Sequence, residues 1–338
     1  MPDIESVQPL FSVITPVYNV CEYLLTAVQS VVEQPGPKDW ECLLIDDGST
    51  DGSAALCDAL AGMLPGVKAI HQPNQGVSAA RNTGLRAARG RWVLFLDGDD
   101  CLAPDLLPQL RQTIESRPEC DWLAGRFLIR GTDGTLREHT GLQRQTGVLP
   151  ADAGVVPRLQ ALYAAGHWSV WKFCIRHDLI EKTGAQFWPQ VRWGEEFGFD
   201  LQLMTGCREL CLLDIVFLHY REGRPGSLLN DEKGLADHFL SLQATWQHLE
   251  EMAKSKRISR QDLPALRDMV ADMFWPQART AAVRDAAVRR ACLPGLRALR
   301  PLYPYGTEVR TRSSWRLFQL LLRALGPRPA LWLASRQR

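Results

Sequence analysis

Residues 92–100 read WVLFLDGDD, an apolar run that ends in a turn with three carboxylates. A short apolar run bounded by turn residues is typical of a strand buried on both faces of a sheet. Asp97, Asp99 and Asp100 leave this strand together, so their oxygens can converge on one hard cation such as Mg²⁺ or Mn²⁺. Taken alone, the segment is explained at least as well by a solvated acidic turn that caps the next helix.

The residues before this strand alternate between short apolar runs and helical patterns. Earlier strands are predicted at 11–14, 40–45 and 67–71, and helices at 21–33, 53–63 and 77–88. The first strand is stopped by Pro16, the fourth covers 91–96, and Pro104 opens the next helix, where its missing N–H costs nothing. Strands separated by helices of about ten to fifteen residues predict a mostly parallel sheet with helices on both faces.

Polar clusters follow three of these strands directly. They are Tyr18-Asn19, residues 46–49 (DDGS) and residues 97–100 (DGDD). Because ligands of open α/β sheets bind beyond the carboxyl ends of the strands, we expect the three clusters to converge on one site. The Asp46-Asp47 pair is suited to accept hydrogen bonds from a nucleobase or a ribose. Alternatively, this segment simply caps the next helix through Ser49 and Ser53.

Length and charge restrict the class of protein. At 338 residues the chain has room for about two domains, and its 46% hydrophobic and 23% charged residues are ordinary for a globular protein. The net charge is only +1, which argues against a protein that coats nucleic acid. Residues 281–338 nevertheless contain twelve Arg, no Lys and two acids, so this segment carries +10 and the remainder −9. The asymmetry indicates an anionic partner, either a membrane or nucleic acid.

Cysteine usage and hydropathy predict the compartment. The nine cysteines are odd in number, include no CxxC pair and lie mostly in apolar runs, so we expect buried, reduced thiols. The first ten residues contain acids and no basic segment, which predicts no signal peptide. No stretch approaches the ~18 apolar residues of a membrane span. These features predict a cytoplasmic protein.

Four blocks of sequence resemble family 2 glycosyltransferases, in the order and at the spacing of that family. The blocks are residues 12–19 (SVITPVYN), 46–51 (DDGSTD), 74–84 (NQGVSAARNTG) and 94–100 (LFLDGDD). The resemblance is strong over residues 10–115, patchy to about residue 226 and absent beyond it. It implies a GT-A fold for nucleotide-diphosphosugars, an α/β architecture with a mostly parallel sheet flanked by helices.

The resemblance also implies a division of the chain. We expect a GT-A domain over residues 1–228, with a nucleotide-sugar half at 1–115 and an acceptor half at 116–228. Beyond the resemblance, long helical patterns predict that residues 229–338 form a helical, Arg-rich C-terminal extension. Breaks in its helices are expected at three prolines, Pro264, Pro276 and Pro294.

The resemblance assigns the polar clusters to a nucleotide-diphosphosugar donor. Tyr18 would stack on the nucleobase, while the Asp46-Asp47 pair would hold base and ribose, with Asp47 on the base. A divalent ion, Mn²⁺ or Mg²⁺, would be held on the diphosphate by Asp97, Asp99 and Asp100. The other donor residues are Thr15, Pro16, Asn74, Gly76, Arg81, Asp97 and Gly98. Alternatively, Arg81 braces the first Asp cluster.

The catalytic base is implied in the second half of the fold. The family carries a Gly-Glu-Asp segment there, which reads Gly194-Glu195-Glu196 in this chain. Glu196 stands at the Asp position and is the expected base that deprotonates the acceptor hydroxyl; Glu195 is the second candidate. Direct displacement by that hydroxyl would invert the anomeric centre. Alternatively, both glutamates lie in the solvated first turn of a helix, where the helix dipole favours them.

Residues on the acceptor or diphosphate side follow from the same resemblance. The segment at 170–176 (VWKFCIR) resembles the family's Trp-Asn-Lys-Leu-Tyr-Arg, with Trp171 matched and Lys172 at the Asn position. His219 and Arg221 resemble a loop, continued at 224–227, that closes over the diphosphate, although both could equally be surface residues. The set on this side of the site is Trp171, Lys172, Trp193, His219 and Arg221.

Together these implications describe an inverting, metal-dependent glycosyltransferase. It would move a sugar from a nucleotide-diphosphosugar, with UDP as the expected nucleotide, to a glycan or polyprenyl-linked glycan. The product would be a cell-surface polysaccharide such as capsule or lipopolysaccharide. One alternative is a catalytically inactive nucleotide-sugar-binding module. Another is a sugar-phosphate nucleotidyltransferase, which needs a Gly-rich loop with Lys or Arg after the first strand; residues 18–21 (YNVC) provide none.

Other nucleotide-binding and nucleic-acid-binding classes are not favoured. The sequence has no GxGxxG after the first strand and no GxxxxGK[ST], so dinucleotide and P-loop sites lack their phosphate cradles. The net charge of only +1 argues separately against nucleic acid as a partner, despite the basic tail.

The C-terminal tail has the pattern of an interfacial helix. Arg312, Arg316, Gln319 and Arg323 fall on one stripe, and mostly apolar residues fill the rest of the helix surface. Such a helix lies in a membrane interface or packs on its own domain with a solvated basic edge. A lipid-linked acceptor favours the first arrangement, which would place the protein at the inner face of the cell membrane.

Overall fold

The computed structural model describes residues 8–139, 146–164, 166, 169–223, 235–284, 286–306, 319–320, 322–324 and 326–334. The chain falls into two compact units. The first comprises residues 1–189 and 199–224, and the second comprises residues 190–198 and 225–338. Residues 190–198 thus belong to the second unit, although they precede the predicted domain boundary.

Ten strands of the described residues form one sheet in the first unit. They are β1 (Phe11–Val17), β2 (Trp40–Asp46), β3 (Val67–His71), β4 (Trp92–Phe95), β5 (Cys101–Leu102), β6 (Cys120–Arg130), β7 (Leu136–Glu138), β8 (Gly147–Pro150), β9 (Phe173–Arg176) and β10 (Glu209–Arg221). Their order is β3-β2-β1-β4-β9-β6-β10-β5, with β7 on β6 and β8 on β10. Strands β3, β2, β1 and β4 run parallel, and β9 runs antiparallel to both its neighbours.

Helices connect the strands and make up most of the described second unit. They are α1 (Cys21–Val32), α2 (Ser53–Met63), α3 (Val77–Ala87), α4 (Leu106–Ser116), α5 (Val155–Ala164), α6 (His177–Thr183), α7 (Glu195–Met204), α8 (Leu235–Lys254), α9 (Leu263–Val283), α10 (Ala286–Ala298) and α11 (Pro327–Ala334). Single 3₁₀ turns occur at Ala151–Ala153, Val170–Lys172 and Arg300–Leu302.

The parallel half of the sheet explains why its strands are so apolar. Parallel neighbours need crossover helices, and α1, α2 and α3 provide them. Both faces of β1 and β2 are therefore covered, and nearly every residue of the two strands is buried. Helix α3 packs closely on β1, since a Cβ atom added to Gly84 would lie 2.2 Å from Ile14 Cγ2. The predicted helix-flanked, mostly parallel sheet is confirmed.

The order in which the chain adds strands to the sheet reverses at β1. From β1 it proceeds to β2 and β3 on one side, and it then returns to β4 on the other side. The loops that leave β1 and β4 therefore lie at the point where the strand order reverses, the usual ligand position in such sheets. The polar clusters at 18–19 and 97–100 occupy these two loops.

Two prolines act differently from the sequence prediction. Pro16 does not stop the first strand, which continues to Val17. It is tolerated there because β4 pairs only with Phe11–Ile14, so no neighbouring strand on that side requires the N–H that proline lacks. Pro104 precedes the next helix rather than opening it: α4 begins at Leu106, after Asp105 with a φ of +58°.

The helices of the second unit run through two of the three prolines expected to break them. Helix α9 contains Pro276 and α10 contains Pro294, so these predicted breaks are wrong. The neighbouring side chains Trp275 and Leu296 are fully buried, and such packing can hold a helix through a proline. Pro264 lies in the first turn of α9, where proline costs little.

Cys120 and Cys211 form a disulfide between the neighbouring strands β6 and β10, with their Cα atoms 6.4 Å apart. The prediction that the cysteines are reduced thiols is wrong for this pair. The two residues are 91 positions apart, and only the pairing of β6 with β10 brings them together. The other seven cysteines are free, and six of them are buried.

Part of the predicted C-terminal tail lies outside the described residues. Arg312 and Arg316 of the basic stripe are among the residues not described, and so is the predicted loop at 224–227. Gln319 and Arg323 fall in short described stretches. Within the described ranges, no helix is both long enough and apolar enough to cross a bilayer. Attachment of the tail to a membrane surface stays a prediction.

Candidate functional site

The loops that follow β1 and β2 are joined to each other by hydrogen bonds. Ser49 Oγ accepts the Asn19 N–H (3.2 Å), and Asn19 Oδ1 accepts the Thr50 N–H (2.8 Å). Ser53 Oγ accepts the Val20 N–H (3.0 Å), and Asp51 Oδ2 accepts the Cys21 N–H (3.0 Å). Helix α2 has no side-chain cap at its start. The alternative in which Ser49 and Ser53 only cap that helix is therefore wrong, because both serines link the two loops.

Tyr18 leaves the end of β1 with its side chain 48% exposed. The next residue, Asn19, has a φ of +52°, which Asn adopts more readily than most residues. Pro16 is partly buried. Thr15 is fully buried, and its hydroxyl oxygen has no hydrogen-bond partner among the described residues. The structure thus offers the Tyr18 ring to a ligand but does not offer the Thr15 side chain.

Asp47 is buried, and its carboxylate holds the loop that follows β3. Oδ1 accepts hydrogen bonds from the Gln72 side chain (2.7 Å) and the Gln75 N–H (2.9 Å), and Oδ2 accepts one from the Gly76 N–H (2.8 Å). Gly76 makes its bond with a φ of +89°, which glycine permits at little cost. Three donors use most of the acceptor capacity of one carboxylate. Asp47 therefore shapes the rim of the site, and its contact with a nucleobase stays a prediction.

The loop that follows β3 also lies close to the loop that follows β2, at Gly48. A Cβ atom at Gly48 would lie 2.9 Å from the Asn74 backbone nitrogen, and the φ of Gly48 is +71°. We expect Gly48→Ala to lower the free energy of unfolding by about 1–3 kcal/mol, because it combines a backbone clash with a left-handed conformation. Urea denaturation measures the change.

Gly62→Ala in helix α2 is the matched control for this substitution. Nothing lies within 4 Å of a Cβ atom at Gly62, and alanine is favoured over glycine in a helix by up to ~1 kcal/mol. We expect this variant to be as stable as the wild type or more stable. A Gly48→Ala protein of wild-type stability would contradict the close approach of the two loops.

Asp46 ends β2 with both carboxylate oxygens bonded. Oδ1 accepts the Ser49 N–H at 3.0 Å, and Oδ2 lies 2.9 Å from Nδ1 of His71. Burial alone would raise the pKa of Asp46, but the bonds from His71 and Ser49 outweigh it and hold the pKa below its ordinary value. Asp46 is therefore an ionised carboxylate at the carboxyl end of the sheet. The sequence did not single out His71.

The acidic turn, residues 97–100, is tied to helix α3 by Arg81. This arginine is buried, and its Nη2 donates to Asp97 Oδ1 at 3.1 Å. Its guanidinium lies 5.4 Å from the centre of the Phe187 ring. The bond joins Arg81 to the acidic turn, whereas the sequence-based alternative placed Arg81 with the Asp46-Asp47 pair. Gly98 brings the turn close to the loop after β1, since a Cβ atom there would lie 2.9 Å from Val20 Cγ2.

Arg221 holds the acidic turn from the end of β10. Its backbone N–H donates to Asp100 Oδ1 (2.7 Å), and its Nε donates to the Asp99 carbonyl (3.0 Å). The guanidinium also lies 4.7 Å from the centre of the Tyr23 ring. Arg221 is thus engaged with the turn itself, and its predicted action on a diphosphate stays a prediction.

The acidic turn places the Asp100 carboxylate in a buried position near two other negative charges. Burial, and then the charges of Asp97 and Asp99, raise the pKa of Asp100 well above its ordinary value. Asp100 Oδ2 is buried and has no hydrogen-bond partner among the described residues. Such an oxygen is costly to bury. A divalent cation would supply the missing partner, and an all-oxygen donor set is the kind that Mg²⁺ and Mn²⁺ prefer.

Two aromatic rings of the first unit, Trp171 and Tyr220, pack on each other. Trp171 and Tyr220 stack with ring centres 5.6 Å apart and planes 15° from parallel. Burial, and then the charges of the acidic turn, raise the pKa of Tyr220 to about 12. Of the predicted acceptor-side residues, Trp171 therefore stacks on a ring that interacts electrostatically with the acidic turn, and its acceptor role stays a prediction.

Lys172 is buried in the interior of the first unit. Its ammonium lies 4.9 Å from the centre of the Phe127 ring and 5.2 Å from that of Trp171. The fully buried Asp200 on α7 interacts with this charge and accepts a hydrogen bond from the Tyr163 hydroxyl (3.2 Å). Sequence reasoning missed Asp200, although a carboxylate among apolar residues in a helix was a signal. The acceptor role of Lys172 stays a prediction.

His219 lies on β10 opposite Cys101 of β5. Burial, and then the charge of Arg130, lower the pKa of His219 below its ordinary value of 6.5. The ring is therefore neutral near pH 7, and a neutral ring is poorly suited to balance phosphate charge. Its role on the diphosphate side stays a prediction.

The remaining predicted residues lie in the second unit, at and before the start of α7. Trp193 stacks on His238, with ring centres 4.5 Å apart, and its backbone N–H donates to Ser241 Oγ at 3.2 Å. Glu195 and Glu196 form the first turn of α7. Glu195 is buried and Glu196 is partly exposed, so a solvated first turn describes only the second of them.

Comparison with known proteins identifies relatives of the first unit. A model described as "Glycosyl transferase family 2" matches residues 12–159. The Bacillus subtilis "Uncharacterized glycosyltransferase EpsJ" is 29% identical over 221 residues, which cover 65% of this chain and 63% of that protein. The B. subtilis "Putative teichuronic acid biosynthesis glycosyltransferase TuaG" is 35% identical over 129 residues, 38% of this chain and 50% of that protein. The chain thus spans between one half and two thirds of these curated relatives.

Solved structures share the fold. Staphylococcus aureus TarS 1–349 superposes with a TM-score of 0.70 at 17% identity, covering 96% of this chain and 90% of that one. The same protein in complex with UDP-GlcNAc gives a TM-score of 0.73 at 16% identity, with the same coverage. This likeness confirms the predicted fold class, a mostly parallel sheet flanked by helices with further helices after it.

Proposed function

We propose that this protein catalyses sugar transfer, because its residues 12–159 match the model of glycosyl transferase family 2. The protein would move a sugar from a nucleotide-diphosphosugar to a hydroxyl of a glycan or a polyprenyl-linked glycan. The observation that carries the proposal is the acidic turn that follows β4, where the strand order of the sheet reverses. There, a buried Asp100 oxygen without a partner among the described residues lies with two further carboxylates.

A UDP-sugar is the proposed donor. The half-exposed Tyr18 ring and the ionised Asp46 lie at the ends of β1 and β2, where an aromatic face and an acceptor oxygen suit a nucleobase and a ribose. The TarS chain that shares this fold was solved in complexes named for UDP-GlcNAc and UDP. This favours uridine over the other nucleotides, while the sugar is left to the assay.

Asp97, Asp99 and Asp100 would hold Mn²⁺ or Mg²⁺ on the diphosphate. When bound, the ion would act as a Lewis acid that stabilises the charge of the departing nucleoside diphosphate. Arg81 and Arg221 would hold the turn that carries these carboxylates, through their bonds to Asp97, to the Asp99 carbonyl and to Asp100.

Glu196 is the proposed general base. It would take the proton of the acceptor hydroxyl as that oxygen attacks the anomeric carbon, and a single displacement would invert the configuration there. Its partial exposure and its place in the first turn of α7 are compatible with a carboxylate that meets solvent and substrate. Glu195, which is buried, is the second candidate.

A cell-surface polysaccharide is the proposed destination of the sugar. The name of the TuaG relative refers to teichuronic acid biosynthesis, which supports a polymeric glycan as acceptor or product. Capsule and lipopolysaccharide remain the proposed examples. A lipid-linked acceptor would agree with a basic tail at the inner face of the cell membrane.

Product analysis tests this function against its two alternatives. We expect the protein with Mn²⁺ and UDP-glucose or UDP-GlcNAc to release UDP slowly by transfer to water, and faster when membranes supply an acceptor. Formation of UTP on addition of pyrophosphate would instead identify a sugar-phosphate nucleotidyltransferase. Binding of UDP-sugars without any turnover, even with membranes, would identify an inactive binding module and contradict the proposal.

A further inference from the structure

His71, the last residue of β3, lies between two carboxylates. Its Nδ1 is 2.9 Å from Asp46 Oδ2, and its Nε2 is 3.0 Å from Asp58 Oδ1 on helix α2. Asp46 is nearly fully buried, whereas the side chains of His71 and Asp58 are 42% and 70% exposed. The three residues therefore form a line from the surface of α2 to the carboxyl end of β2.

A histidine between two carboxylates is held in its charged form. Both ring nitrogens face acceptors, and only the imidazolium ion has an N–H on each. The hydrogen bonds to Asp46 and Asp58 raise the pKa of His71 above its ordinary value of 6.5. The neutral ring keeps one N–H, so it can satisfy Asp46 or Asp58 but not both.

The positive charge of the His71 ring explains why the buried Asp46 carboxylate is ionised. Ser49 restrains Oδ1 through its backbone N–H, and His71 restrains Oδ2, so both oxygens of the buried carboxylate are held. Burial would otherwise raise the pKa of Asp46, and the bonds with His71 and Ser49 reverse the shift. Neither carboxylate oxygen can rotate away from the end of β2 without losing one of these bonds.

We propose that His71 is a positioning residue that, as an imidazolium ion held by Asp58, keeps the Asp46 carboxylate oriented for the nucleoside of the donor. This inference rests on the proposed function, because it gives Asp46 a ligand. His71 itself touches Asp46 and not the reacting atoms. We therefore expect substitutions at His71 to change the affinity for the donor rather than the rate of the chemical step.

The groups around His71 set the direction of the pH dependence. The charged groups that face it are Asp46 on the neighbouring strand and Asp58 on α2. Cys57 beside Asp58 is neutral, because burial raises its pKa to about 12. As the pH rises through the raised pKa of His71, the ring loses its proton and Asp46 loses its charged partner. Donor affinity should therefore be highest below that pKa and should fall above it.

Two substitutions at His71 separate charge from shape. His71→Ala removes both hydrogen bonds, and we expect the KM for UDP-GlcNAc to rise by about tenfold with kcat changed less than about twofold. His71→Asn can still place an amide N–H near Asp46 without a charge. We expect it to restore part of the affinity and to abolish the rise of KM with pH.

Asp58→Asn tests the role of Asp58, the exposed carboxylate that contacts His71 Nε2. It should lower the pKa of His71 and move the rise of donor KM to lower pH. Glu115→Gln on α4 is the matched control, because it removes one exposed negative charge without touching His71. NMR titration of the His71 ring in the donor-free protein measures its pKa independently of any activity.

The outcomes are distinguishable from failure of the proposed function. A His71 pKa at its ordinary value, unchanged in Asp58→Asn, would overturn the inference. So would a His71→Ala enzyme with wild-type donor KM at every pH. Failure of the wild-type protein to bind UDP or any UDP-sugar would overturn the proposed function and this inference together, whereas the first two outcomes leave the proposed function intact.

Discussion

Asp99→Asn should lower the rate of sugar transfer by about a thousandfold or more while leaving the fold unchanged. Asp99 supplies one of the three carboxylates of the acidic turn, and an amide is a much weaker ligand for a hard cation. Loss of Lewis-acid assistance to the leaving diphosphate is worth several kcal/mol, and each ~1.4 kcal/mol is tenfold in rate. Initial rates of UDP release with Mn²⁺ measure the effect.

The Asp99→Asn substitution leaves the two described bonds between the turn and Arg221 in place. The Asp99 carbonyl, which the substitution leaves in place, accepts the bond from Arg221, and Asp100 keeps its own bond to the same arginine. Asp105→Asn is the matched control. Asp105 is exposed, does not cap α4, and has a positive φ that Asn also tolerates. Loss of activity in both variants, or in neither, would contradict a specific role of the acidic turn.

Glu196→Gln should stop transfer to an acceptor and spare donor binding. A positioned general base contributes about 10²–10⁴ in rate, and an amide cannot take a proton from the attacking hydroxyl. The substitution keeps the size of the side chain in the first turn of α7. Transfer rates in the presence of acceptor membranes measure the loss, and calorimetric titration with UDP measures binding.

Glu195→Gln is the comparison that assigns the base. Glu195 is the neighbouring buried glutamate, so the same chemical change is made one residue away. We expect transfer by this variant to fall by less than about tenfold. Full activity in Glu196→Gln would show that Glu196 is not the base, and a large loss confined to Glu195→Gln would move the assignment to Glu195.

The parallel half of the fold was predictable because its signals are local. Each of the first four strands is a short apolar run, and each is followed by a polar cluster or a helix at a regular interval. The prediction erred at Pro16, where the outcome depended on how far β4 extends beside β1. It erred at Pro276 and Pro294, where buried neighbours stabilise the helices. Both errors are cases in which tertiary packing overrides a local preference.

The side chains that contact the candidate site residues were harder to predict from the sequence. The carboxylates were found because they follow strands directly. His71 and Asp58 escaped notice because their roles depend on β3 lying beside β2 and on the face that α2 turns to the sheet. The Cys120–Cys211 bond and the buried Asp200 with Lys172 depend on residues 91 and 28 positions apart in the chain. Long-range pairing of this kind leaves no periodic signal in one sequence.

Binding of UDP to the wild-type protein, measured by calorimetric titration with Mn²⁺ and again with a chelator, shows whether the acidic turn binds a nucleoside diphosphate through a divalent cation. We expect UDP to bind with Mn²⁺ and to lose at least about tenfold in affinity, or ~1.4 kcal/mol, when the ion is removed. Equal affinity with and without the ion, or no binding of UDP with Mn²⁺ present, would contradict the account.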